Sequence, residues 1–248
     1  MRATKQRSLD TSNGFKMGFN SNIQPSHPLL QLALETAKHL SRVNVRRKDQ
    51  IIRDKFVSDI ETVMNLSAHD GVKPAAPVRA LRHAPVAFSA VPTFVSENLL
   101  QAARSALGHV HWTEFYEPAA WSKPFLADFA NGEGIGPDGT VRCDTMILGL
   151  FILGPNTLYP PHAHPAEEFY LTLSGAPDFQ VGDDAPFVTI APGEVAWHGS
   201  DVSHAIRTGP DPFLAVFGWR GSIHERSWYR SDMSDAQSRK RYPKISKG

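Results

Sequence analysis

From residue 141 to residue 219 the chain is cut into short β-type runs, at 141–153, 168–174, 178–182, 186–190, 194–198, 203–208 and 212–219. Turn residues divide them: Gly175-Ala176-Pro177, Gly182-Asp183-Asp184, Ala191-Pro192-Gly193 and Thr208-Gly209-Pro210-Asp211-Pro212. Glycine reaches backbone angles that other residues resist, and proline has no N–H to give a ladder, so each cluster ends a strand. Many short strands at this spacing predict a sandwich or barrel, here a jelly roll. Ahead of them, the glycine-rich stretch Asn131-Gly132-Glu133-Gly134-Ile135-Gly136-Pro137-Asp138-Gly139 reads as a plain loop.

The first part of the chain has a different period. Residues 28–41 begin with Pro28 and run on through Leu29, Leu30, Leu32 and Leu34, a helix with proline near its start. Across 48–66, Ile52, Phe56, Ile60 and Val63 recur at intervals that keep one helix face apolar. A third helix is expected over about 95–107, capped by Ser96 or Thr93 and stopped at Gly108. The organisation expected is a flexible arm at 1–25, a helical region at 26–110, a β-barrel at 111–224 and a tail at 225–248. Lys73-Pro74-Ala75-Ala76-Pro77 forms a linker within the helical region.

Composition excludes several classes. A net charge of +1 gives no attraction to nucleic acid or membrane. No stretch approaches the roughly 20 apolar residues of a membrane span, and the first 25 residues lack the apolar segment of a secretory signal. A cytoplasmic protein is therefore expected. The lone cysteine, Cys143, rules out an intrachain disulfide framework and reads as a small buried hydrophobe.

Within the β-region lies His162-Ala163-His164-Pro165-Ala166-Glu167-Glu168, with His204 further on. Side chains two apart on a strand share a face, so His162 and His164 point the same way. Imidazole with carboxylate suits one divalent transition metal ion: Fe, Mn, Zn, Ni or Co. If Glu168 faces inward at the start of its strand, Tyr170 and Thr172 do too, and Glu167 faces away. His109 and His111 form another His-x-His pair, but no carboxylate follows at similar spacing, and they read as structural.

Gly154, His162, His164, Glu168 and Gly175 resemble the first motif of the cupin superfamily, with a seven-residue first gap where five is common. Pro192-Gly193-Glu194 and then His204 resemble the second motif, although Ala205-Ile206-Arg207 stands where an asparagine is usual. His198 competes for the last ligand position; the usual length of the intervening strand and turn favours His204. The resemblance implies a mainly β fold, a cupin jelly-roll β-barrel preceded by an α-helical N-terminal region. It also implies a metal held by His162, His164, Glu168 and His204.

Tyr159, the histidine motif with Tyr170, His204-Ala205-Ile206-Arg207-Thr208 and Phe217-Gly218-Trp219-Arg220-Gly221 resemble the cupin-type dimethylsulfoniopropionate (DMSP) lyases over about residues 110–222. That resemblance implies β-elimination of DMSP to dimethyl sulfide and acrylate, with the substrate carboxylate on the metal. Tyr170 is the first choice as base and Tyr159 the second, since a nearby cation favours the phenolate. His162 stands either as a metal ligand or as a substrate contact. Trp197 and Trp219 are expected as aromatic walls for the sulfonium, Phe169 and Phe217 less so. Arg207 is expected to pair with the substrate carboxylate or to form a surface salt bridge. Trp112, Tyr116 and Trp121 could form a lid. The expected partner is thus a small sulfonium carboxylate, and cupin relatives often pair as homodimers. An Fe(II) dioxygenase of a small thiol or acid, or a non-catalytic ligand-binding cupin, is the alternative.

Overall fold

A computed structural model of the protein describes residues 25–67, 78–114, 116, 122–225, 227–230 and 239–242. The arm at 1–25 (apart from Pro25), the linker at 73–77 and Trp121 lie outside the described residues.

The helices are α1 (Pro28–Arg42), α2 (Gln50–Val63), α3 (Ala84–Ser89), α4 (Glu97–Ala106) and the short α5 (Lys123–Leu126). α1 opens at Pro28, where a missing N–H is not needed, and the His27 ring accepts from the Leu29 amide at 3.2 Å. α2 turns Ile52, Phe56, Ile60 and Val63 inward, the stripe that their spacing predicts. No described helix is long and apolar enough to cross a membrane.

The strands, in chain order, are β1 (His111–Thr113), β2 (Phe129–Gly136), β3 (Val141–Arg142), β4 (Met146–Leu153), β5 (Leu158–Ala163), β6 (Glu167–Ser174) and β7 (Asp178–Val181). They continue with β8 (Val188–Thr189), β9 (Val195–His198), β10 (His204–Arg207), β11 (Phe213–Arg220), β12 (Ser227–Arg230) and β13 (Arg239–Tyr242). One sheet orders β1-β2-β4-β11-β6-β9, with β3 beside β2; the other orders β13-β12-β5-β10-β7-β8. Apart from the parallel β2–β3 pair, the pairings are antiparallel. This is the mainly β jelly roll with N-terminal helices that the sequence predicts.

Strand parity makes two cores. On β4, β6 and β11, Leu148, Leu150, Ile152, Phe169, Leu171, Leu173, Leu214 and Val216 face the helices. The alternate residues Phe151, Leu153, Tyr170, Ala215, Phe217 and Trp219 face the space between the sheets. A sheet covered on both faces needs apolar residues at consecutive positions, which is why β4 reads as an unbroken run. Arg220 links the layers, bonding Asp59 of α2 at 2.7 Å and also Glu167, while Lys55 reaches Glu167 at 3.3 Å.

Two expectations need correction. The supposed loop at 131–139 is largely β2. Its glycines make room for neighbours: a Cβ on Gly132 would sit 2.9 Å from the Trp112 ring, and one on Gly134 2.4 Å from Leu29 Cδ2. The expected tail at 225–248 contributes β12 and β13, with β12 pairing onto β5. β5 carries Pro160 and Pro161, which argue against a strand by their missing N–H groups. They are accommodated by a bulge: His204 pairs with His162 but Ile206 pairs with Tyr159, so β5 spans an extra residue.

Candidate metal centre

Three cross-strand pairs build the site. Glu168 on β6 lies opposite His198 of β9 on one side and Trp219 of β11 on the other. In the facing sheet, His162 of β5 lies opposite His204 of β10. Directly opposed residues share a face about 5 Å apart, so the two sheets aim these groups at one another. His164, just past β5, completes the cluster. His162, His164, Glu168, His198 and His204 are 0–3% exposed. Donor atoms of His162, His164 and His204 all lie within 4.8 Å of one another, as do those of Glu168, His198 and His204.

Backbone carbonyls set the ring protons. Nδ1 of His162 is 2.9 Å from the Pro160 oxygen, Nδ1 of His164 2.9 Å from that of Ala166, and Nδ1 of His204 2.9 Å from that of Val202. A carbonyl can only accept, so each Nδ1 carries hydrogen and each Nε2 is the atom left for a cation. Oε2 of Glu168 has His164 Nε2 at 3.2 Å, His204 Nε2 at 3.1 Å and His198 Nδ1 at 3.2 Å. Despite that approach, His204 Nε2 is buried without a hydrogen bond, and so is His198 Nε2.

Burial pushes His162 well below the ordinary imidazole range, with His204 and His164 adding to the effect. His198 is lowered to about 4, by burial first and then by His204. For Glu168 burial works upward, but the imidazoles gathered round it, His164 foremost and then His198 and His204, outweigh burial and hold the carboxyl well below its usual range. An anionic carboxylate among lone-pair nitrogens needs positive charge between them. These residues therefore fit a divalent cation, and the orphaned His204 Nε2 is where such an ion would relieve an unmet donor–acceptor demand.

Two tyrosines enter the same pocket. Tyr170, two residues beyond Glu168, hydrogen-bonds to it; burial and then the Glu168 charge hold its hydroxyl well above the ordinary phenol range. Tyr159 stacks on His162 at 4.0 Å between ring centroids. They are three positions apart, an odd offset that would put them on opposite faces of a regular strand; the bulge at the two prolines brings them to one side. The Tyr159 hydroxyl is 2.5 Å from that of Tyr116, and burial raises both. Phe125, Phe129 and Phe151 surround Tyr159 at 4.9–6.2 Å.

The other expected site residues are placed as follows. Trp219 is in the pocket, its ring 4.1 Å from that of His164, but its Nε1–H donates to Glu168 Oε1 at 2.5 Å. Trp197 is not: it alternates with the inward Ala196 and His198 and packs beside Phe56 and Phe169 under α2. Phe169 faces the helices too, whereas Phe217 is inside. Arg207 lies on the outer surface, 2.7 Å from Asp178 and 4.5 Å from the Phe187 ring, which leaves the surface-salt-bridge alternative. Of the expected lid, Trp112 packs in the helical layer and Tyr116 is inside the barrel. His198 and Tyr116 are the pocket residues that sequence reasoning undervalued. Neither has a periodic signal in the sequence: His198 enters through the β6–β9 register and Tyr116 through its contact with Tyr159.

The profile of the dimethylsulfoniopropionate lyase family matches residues 51–215. Among curated proteins, DddQ of Ruegeria pomeroyi, a dimethylsulfoniopropionate lyase, is 32% identical over 112 residues, 45% of this chain and 55% of DddQ. DddL of Cereibacter sphaeroides is 30% identical over 128 residues, 51% of this chain and 52% of DddL. The chain thus spans about half the length of the curated relatives it matches. The crystal structure of Ruegeria pomeroyi DddQ shares the fold, with a TM-score of 0.64 over 84% of this chain and 99% of that one, at 24% identity. A chain from the structures of the lyases RdDddP and RnDddQII gives 0.62 over 82% and 98%, at 22% identity.

Proposed function

The chain belongs to the dimethylsulfoniopropionate lyase family, and from that premise we propose that it is a metal-dependent carbon–sulfur lyase that splits DMSP into dimethyl sulfide and acrylate. The observation that carries this reading is the convergence of Glu168, Tyr170 and the buried imidazoles between the two sheets. Nε2 of His162, His164 and His204, with the Glu168 carboxylate, would hold one divalent transition metal ion. When bound, that ion would supply positive charge for the substrate carboxylate and for ionisation of Tyr170, whose surroundings otherwise oppose it.

Tyr170 takes the proton from the carbon next to the substrate carboxylate. The released electron pair forms the carbon–carbon double bond, and the bonding pair of the β-carbon–sulfur bond leaves with sulfur. The cationic sulfonium becomes neutral dimethyl sulfide, acrylate remains, and no electron is gained or lost overall. Tyr159, paired with Tyr116, is the second candidate for the proton. Aromatic faces hold a cation by about 0.5–2 kcal/mol each, and the inward rings of Phe125, Phe129, Phe151 and Phe179 offer them where Trp197 does not.

Headspace measurement of dimethyl sulfide from purified protein loaded in turn with Fe, Mn, Zn, Co or Ni tests the reading. Release with and without oxygen is expected. Absence of sulfide with every metal, or turnover that consumes oxygen, would overturn it.

A further inference from the structure

His162, His164 and His204 give Nδ1 to a backbone carbonyl; His198 does not. Its Nδ1 faces Oε2 of Glu168 at 3.2 Å. A carboxylate oxygen accepts, so this Nδ1 carries hydrogen and donates. On the opposite side of β6, Trp219 Nε1–H donates to Oε1 at 2.5 Å. Glu168 is thus flanked in register by two cross-strand neighbours, one N–H donor for each oxygen.

We infer that His198 is the positioning residue for Glu168, fixing the plane of its carboxylate through Nδ1–H while Trp219 secures the other oxygen. This rests on the metal-site reading above. The ring is well placed for the task. It is wholly buried, lies parallel to His204 with centroids 4.0 Å apart and an 11° interplanar angle, and meets the Tyr170 ring at 5.7 Å. Packed on those sides, the imidazole holds its Nδ1–H in one direction. Hydrogen bonds of this kind to a ligating carboxylate set its orientation, and losing one typically weakens metal binding by about 10–100-fold. The geometry also separates two roles for one side chain. Nε2 is buried and without a partner, so direct ligation through Nε2 makes the opposite prediction from positioning through Nδ1.

Two amides distinguish the nitrogens: the asparagine amide nitrogen takes the place of Nδ1, and that of glutamine the place of Nε2. Full-length protein stripped with a chelator is titrated with Co(II), reading the visible ligand-field bands and competition with a chromophoric chelator. Wild type is expected to bind one Co(II). His198→Leu and His198→Gln should bind about 10–100-fold more weakly with altered bands, and His198→Asn should recover most of the affinity and the wild-type spectrum. Circular dichroism checks folding, and if His198→Leu fails to fold, the amide pair still decides. Binding kept by Gln and lost by Asn would make His198 a ligand and overturn the positioning role. Equal binding by all variants would remove any role for His198 while leaving the metal site standing. A wild type that binds no divalent metal would overturn both readings.

Discussion

Metal-free protein should lose stability steeply as pH falls from about 6.5 towards 4, and His198 is a main reason. In the unfolded chain its imidazole takes up a proton near pH 6.5. In the folded protein burial, aided by His204, keeps the ring neutral down to about 4. Between those values the unfolded state binds more protons, so stability rises with pH and is lost on acidification. A displacement of about 2.5 pH units, at about 1.4 kcal/mol per unit, is on the order of 3 kcal/mol. That is a large share of the 5–15 kcal/mol typical of a folded domain. His162 is displaced in the same direction, so it deepens the fall. Glu168, whose carboxyl is held low, contributes stability that is lost only at lower pH, as it finally protonates. Urea unfolding with a chelator present, repeated at half-unit steps of pH, measures the curve. His198→Asn should flatten it between pH 6.5 and 4 by about 3 kcal/mol. If that variant and wild type fall in parallel, the argument that His198 is held neutral by its surroundings is refuted.

Tyr170→Phe removes the proposed base but keeps the ring packed against Phe151. It should lower kcat by about 100-fold or more while Co(II) binding persists. A fully active Tyr170→Phe in the dimethyl sulfide assay would transfer the base role to Tyr159. Trp197→Ala deletes a side chain lodged between Phe56 and Phe169. It should destabilise the protein by about 2–4 kcal/mol in urea unfolding without changing KM, and a raised KM with stability unchanged would show that Trp197 touches substrate. Arg207→Ala breaks an exposed ion pair with Asp178 and should alter stability by less than about 1 kcal/mol, with KM unaffected. A large rise in KM would place Arg207 at the carboxylate after all.

Much of the site was legible because strand alternation is local. Glu168 inward, Tyr170 inward and Glu167 outward follow from a period of two once one residue is placed, and Glu167 does lie on the helix side with Lys55 and Arg220. The same rule excludes Trp197 once Ala196 and His198 are known to face inward. The sequence alone does not license that step, because nothing in the run 194–198 says which alternate set belongs to the pocket when both faces of the sheet are covered. Trp219 is expected as an aromatic wall for the sulfonium, but its role as a donor to Glu168 depends on the β6–β11 register.

The amino-acid order alone determined the layout: helices then short strands, turns at Gly175 and Gly193 where the backbone takes positive φ, and a strand face bearing carboxylate and phenol together. These are properties of neighbours along the chain, carried by side-chain period and by glycine's tolerance of left-handed backbone. Tertiary structure decided the rest. The bulge that accommodates Pro160 and Pro161 turns Tyr159 to the same side as His162. Gly132 and Gly134 lie in strand rather than loop because β2 pairs with β1 and β4, and they are glycine because Trp112 and Leu29 occupy the space a side chain would need. His198 and Tyr116 joined the pocket through partners 30 and 43 residues away, Glu168 and Tyr159. Register between strands and packing across sheets are set by groups far apart in the chain, and local periodicity carries no information about them.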